Sequence, residues 1–173
     1  MAGPSGTSWR VVNIVLMVLA AVLVAAAVFF WVDDAEASPA DAKAESLSRQ
    51  YEAVSKAAKE ETIAFLTVDY KNMDALMDKV LSGASGTFKE QYSGARSNLK
   101  TSATRAKAVS TGKVLSVGVS DIDQDNATVF VAADSQVTNA STQGKAVPRY
   151  YRLKLTMVRQ GDSWLTSDLA FVS

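Results

Sequence analysis

An apolar run from Val11 to Val32, interrupted by one polar side chain at Asn13, constrains this chain more than any other feature. As a helix rising about 1.5 Å per residue it extends roughly 33 Å, enough for a hydrocarbon core of about 30 Å, and a helix satisfies its own backbone groups where lipid offers none. The run predicts a transmembrane helix over residues 11–32, with a tail at 1–10, a connector at 33–42 and a tethered domain at 43–173. Arg10 precedes the run and Asp33, Asp34 and Glu36 follow it. The retention of basic flanks on the cytoplasmic side predicts the tail in the cytoplasm and residues 33–173 outside it, which for an inner (plasma) membrane is the periplasmic side. Ala35-Glu36-Ala37 has the small-x-small form of a signal-peptidase site. The apolar run is nevertheless longer than the about 7 to 15 residues of a signal h-region, which favours a retained anchor.

Within the span, Asn13, Met17, Ala20, Ala21 and Ala25 lie close to one helical stripe. A hydrogen-bonding amide among small residues lets another helix approach, so these five form a candidate docking face for a multi-span permease or a second copy of the chain.

What remains beyond the span is the usual size of one domain with one hydrophobic core. The chain has no Cys and no His. That removes the usual zinc ligands, the thiol nucleophile and the imidazole base of a hydrolase triad, which excludes most hydrolase chemistry, and no cofactor or metal is expected. Basic and acidic residues are balanced at 18 each, and without Arg10 the external region is net negative by a single charge. Nucleic-acid binding, which needs a markedly basic face, is not expected.

Leu47, Tyr51, Val54, Ala58, Phe65 and Val68 recur at three- and four-residue steps, with Glu61 the one charge interrupting the stripe. This predicts a long helix from near Pro39–Asp41 to near Asp69–Lys71. The spacing also suits a coiled coil between two copies, but Glu61 would occupy its seam, and packing on the domain's own sheet is preferred. Met73, Leu76, Met77, Val80 and Leu81 predict a second helix, closed at Ser82-Gly83 by glycine in the left-handed conformation. A third spans Thr87–Ala108. After Thr111-Gly112 the period becomes two, with strands expected at Val114–Val119, along Ala127–Val137, along Tyr151–Met157 and over Trp164–Val172. Helices followed by strands make an α+β domain in which a curved antiparallel meander wraps a long helix and Trp164 sits over the sheet.

A membrane span first, an alanine-rich helix closing on Thr67-Val68-Asp69-Tyr70, a Leu81-Ser82-Gly83 and Gly86-Thr87-Phe88 segment near Tyr92, and a terminal Arg159-Gln160-Gly161-Asp162-Ser163-Trp164 hairpin occur in that order. In this the chain resembles the actinobacterial Mce-associated membrane proteins. The resemblance covers nearly the whole chain. It implies a cone of the nuclear-transport-factor-2-like type and an accessory, non-catalytic role beside mammalian-cell-entry lipid importers, whose permease and other subunits would be its partners. A scaffold of a secretion apparatus is the alternative within binding proteins.

Two further sites bear on such a cone. Phe65, Met73, Met77, Phe88, Phe130 and Met157 are candidates to line an apolar cavity for membrane lipid, against the simpler reading that they fill the core. Asp69 with Tyr70, Tyr92, Tyr150 or Tyr151 would make an acid–base pair for isomerase-like chemistry. Asp69-Tyr70 falls at the expected helix end and strand tyrosines mostly pack, so the structural reading is preferred.

Overall fold

Apolar residues at every second position leave each strand one face to bury, and only helices preceding the sheet in sequence are available to cover it. The computed structural model describes residues 14, 16–27 and 39–172. The chain divides into two units, Met1–Ser46 and Leu47–Ser173.

In the first unit, residues 16–27 are helical and leave Leu16, Met17, Val18, Leu19, Val22, Leu23 and Val24 exposed. Among the described residues no helix is long and apolar enough to cross a membrane. Residues 11–13, 15 and 28–32 of the expected span lie outside the described residues, as does Asn13 of the candidate docking face. Met17, Ala20, Ala21 and Ala25 are exposed on the helical stretch. Residues 33–38 of the expected connector lie outside the described residues, and helix α1 (Pro39–Leu66) begins at Pro39, where its start is expected. A proline there loses no intrahelical bond and starts with φ already near the helical value.

The second unit holds the rest of α1, then β1 (Val68–Asp69), α2 (Met73–Gly83), α3 (Gly86–Ala106), β2 (Val109–Ile122), β3 (Asn126–Thr138), a 3-10 turn at Ala140–Thr142, β4 (Val147–Gln160) and β5 (Ser163–Phe171). The sheet runs β1-β2-β3-β4-β5, antiparallel throughout. Helix α1 ends at Leu66, short of the expected Asp69–Lys71, and Val68 belongs to a strand. Thr67 donates its hydroxyl to the Ile63 carbonyl at 2.6 Å, and Val68 and Asp69 pair with Ser110 and Val109 of β2. Two β-branched residues in succession favour that exchange of helix for strand.

Strand β2 starts at Val109, earlier than the apolar run Val114–Val119 suggests, and its first residues lie against the end of α1. At Gly112 a Cβ would come within 2.7 Å of the Leu66 Cβ, so only glycine permits that approach. The core forms where Val54, Ala58 and Leu66 of α1 meet Ala127, Val129, Val131 and Ala133 of β3, Leu153, Leu155 and Met157 of β4, and Trp164 of β5. Cross-strand neighbours Val129↔Leu155 and Val131↔Leu153 face inward, while Phe130↔Lys154 and Ala132↔Arg152 face outward. Two satellite clusters extend this core. Ala64, Val80, Ala84 and Phe88 form one; Met73, Met77 and Ala103 form the other.

The connections follow their local chemistry. Asp123 accepts from the amides of Asp125 and Asn126 at 2.8 and 2.7 Å, which holds its carboxyl below the usual carboxylate range and closes the β2–β3 turn. Gly161 takes φ +61° in the β4–β5 hairpin. Gly83 departs from expectation. It is the last residue of α2 and is not left-handed; the chain leaves through an extended Ala84, whose neighbour Ser85 donates its amide to Thr166 O of β5 at 2.8 Å. The reason for a glycine there lies in what packs against it.

Candidate functional site

Helix α1 buries Val54, Ala58, Glu61, Thr62, Ala64 and Leu66, so its inward stripe includes a carboxylic acid. Glu61 is 4% exposed, and its Oε1 has no hydrogen-bond partner. A Cβ on Gly83 would overlap Glu61 Oε2, so the bare backbone of Gly83 makes the room in which the carboxyl sits. Burial pushes the Glu61 carboxyl up to about 8, because the charged form loses its hydration and gains no donor in exchange.

This carboxyl adjoins a cleft of about 410 Å³ between α1, the end of α2 and the β4–β5 hairpin. Ala53, Ala57, Ala64, Trp164 and Leu165 supply its apolar wall; Lys56, Glu60, Lys79, Ser82, Asp162 and Ser163 supply its polar groups. Tyr92 of α3 lies near enough that its phenol is raised, first by burial and second by the charge of Glu61. Phe65, Phe88 and Tyr92 meet edge-on or tilted, with ring centroids 5.9–6.2 Å apart. Phe65 also meets Phe171 at 6.3 Å, which in turn meets Tyr151 at 6.2 Å. A buried carboxyl with an unpartnered oxygen beside a cleft is built at a stability cost, and such groups concentrate where a protein does something.

The six residues proposed to line a lipid cavity do not converge. Phe65 packs against both the main core and the cluster around Val80 that holds Phe88; Met73 and Met77 of α2 pack with Ala103 of α3. Met157 lies in the main core, where its sulfur accepts from Thr166 Oγ1 at 3.3 Å. Phe130 stands 43% exposed on the outer face of the sheet, since its position on β3 is one step out of phase with Val129 and Val131. It borders a shallow depression of about 350 Å³ beside Arg152.

Asp69 is the last residue of β1. Its Oδ1 accepts from the Lys71 amide at 3.0 Å, forming the turn that follows β1. Tyr151 pairs its hydroxyl with Ser135 Oγ at 3.3 Å, and Tyr150 is 77% exposed. Among the described residues no group of three His, Cys, Asp or Glu side chains could hold a metal ion. The carboxyl that matters is Glu61, which the sequence shows only as a flaw in an apolar stripe. A lone acid on a buried helix face, with a glycine closing the next helix, is the signal that could have found it.

A family model described as "Uncharacterized protein Rv1363c/MT1408-like" matches residues 9–173. The uncharacterized protein Rv1363c of Mycobacterium tuberculosis (strain ATCC 25618 / H37Rv) is 29% identical over 130 residues, 74% of this chain and 49% of the relative. The chain therefore spans about half the length of the curated relative it matches. Among solved structures, the periplasmic domain of DotI is similar at a TM-score of 0.58 and 14% identity, covering 70% of this chain and 94% of that one. CagV of Helicobacter pylori strain 26695, a VirB8 homolog of a T4SS, is similar at 0.56 and 7%, covering 70% and 98%. At such identities the likeness establishes a shared α+β fold.

Proposed function

The chain belongs to the Rv1363c/MT1408-like family, and we propose that it is a non-catalytic assembly subunit of a multi-protein machine in the cell envelope. Residues 11–32 anchor it in the inner membrane with the amino end cytoplasmic, and the α+β domain stands outside and docks other proteins. The observation that carries this reading is the pairing of an apolar segment of membrane-spanning length with a fold that covers nearly all of two solved chains, one of them the periplasmic domain of DotI. The other, CagV, is a VirB8 homolog of a T4SS. A scaffold of a secretion-type apparatus is accordingly the first form of the proposal.

A second form, an accessory subunit of a mammalian-cell-entry lipid importer, is favoured by the placement of Thr67-Val68-Asp69-Tyr70 and the terminal Gly161-Asp162 hairpin and by the mycobacterial relative. The two forms differ in their partners. Affinity purification of the full chain from native membranes, after cross-linking, recovers secretion components in the first case and a multi-span permease with its lipid-binding subunits in the second. A chain that purifies alone from cross-linked membranes contradicts both.

A further inference from the structure

The Glu61 carboxyl is held by contact with the backbone of Gly83, and that contact joins the middle of α1 to the end of α2. Directly beyond Gly83, the Ser85 amide donates to Thr166 O at 2.8 Å and Ala84 forms a bridge to Thr166, clipping α2 to β5. One carboxyl thus sits at the seam of three elements, α1, α2 and β5, with no donor to its Oε1.

We propose that Glu61 is a proton-operated latch: protonated, it packs on Gly83 and keeps the α1–α2 seam closed; ionised, it leaves Gly83 for the cleft and loosens the clip of α2 on β5. The groups facing it define the choice. Its own helix presents Lys56 and Glu60 to the cleft, α2 presents Lys79, the β4–β5 hairpin presents Asp162, and Tyr92 approaches from α3. In the closed state neither lysine makes an ion pair with Glu61, so the ionised carboxylate gains a counter-ion only by moving toward Lys56 or Lys79 into the water of the cleft. The Glu61 carboxyl, pushed up to about 8 by burial, places the transition on the alkaline side of neutrality. Histidine, the residue that ordinarily supplies such a switch, is absent from the chain. A domain proposed to dock partners outside the membrane would in this way couple the packing of its α2–β5 corner to the pH of that compartment. The latch concerns this domain alone and stands or falls independently of which machine the chain serves.

Hydrogen exchange read by mass spectrometry on the full chain in lipid nanodiscs tests the latch, with rates at pH 6 and pH 9 corrected for the intrinsic pH dependence of exchange. The Ser85 amide and the end of α2 should exchange at least tenfold faster at pH 9 than at pH 6 after correction. In Glu61→Gln, which cannot ionise, the corrected rates should coincide. Gly83→Ala puts a methyl where Oε2 packs and should show the fast pH 9 behaviour at both values. Equal corrected rates in the unmodified chain, or a pH-dependent opening that persists in Glu61→Gln, would overturn the proposal. If Glu61→Gln does not fold, the unmodified chain and Gly83→Ala decide the question by the same readout.

Discussion

Glu61 and Thr62 are adjacent, buried and differently costly. The folded state raises the Glu61 carboxyl from 4.5 to about 8, so the folded chain binds a proton more tightly than the unfolded one. Stability is therefore full below the unfolded value, falls as pH rises from about 4.5 to about 8, and is flat beyond. At pH 7 the penalty is about 3 kcal/mol on the scale of 1.36 kcal/mol per pKa unit. Denaturant titrations should show Glu61→Gln more stable than the parent by up to that amount at pH 7, with the advantage shrinking toward pH 5. No gain at pH 7 would mean the carboxyl is hydrated or paired in solution. Thr62 is fully buried and its Oγ1 has no partner. Thr62→Val keeps the shape, removes the stranded hydroxyl and should stabilise by about 1 kcal/mol in the same assay. A loss instead would show that the hydroxyl is bonded. Neither cost is legible in the sequence: spacing shows that position 61 faces inward, but not that no donor comes to meet it there.

At the scale of elements, periodicity carries the α+β order, the meander, the inward β3 and β4 residues and the seating of Trp164, because each depends on alternation that sequence displays directly. Boundaries shift where a tertiary contact outweighs local preference. Strand β1 is only Val68–Asp69 and exists because β2 is there to pair with it. Gly83 has the look of a cap and is instead a seat for Glu61, a contact between residues remote in sequence. The expected lipid cavity rests on residue types; Phe130 is equivalent to Phe65 by composition, yet strand phase turns it outward. Gly112 offers the clearest test of an element junction. A Cβ there would press on Leu66 at 2.7 Å, so Gly112→Ala should cost about 1–3 kcal/mol through overpacking where β2 meets α1, seen as a lower denaturation midpoint with unchanged slope. An unchanged midpoint would show the junction to be loose.

For the whole molecule, the domain serves the proposed role only if the apolar segment holds it at the membrane. If the stripe of Asn13, Met17, Ala20, Ala21 and Ala25 is the proposed docking face, Asn13→Leu with Ala21→Ile should reduce co-purification of a multi-span partner severalfold while leaving the domain folded. Undiminished recovery would rule out this docking face. Anchorage itself is decided by fractionating lysed cells that express the full-length chain and shaving their spheroplasts with protease. Full-length chain should appear in the membrane pellet, resistant to high salt and released by detergent, with residues 43–173 digested from outside. Full-length, untrimmed chain in the aqueous fraction without detergent would contradict the membrane-anchored role.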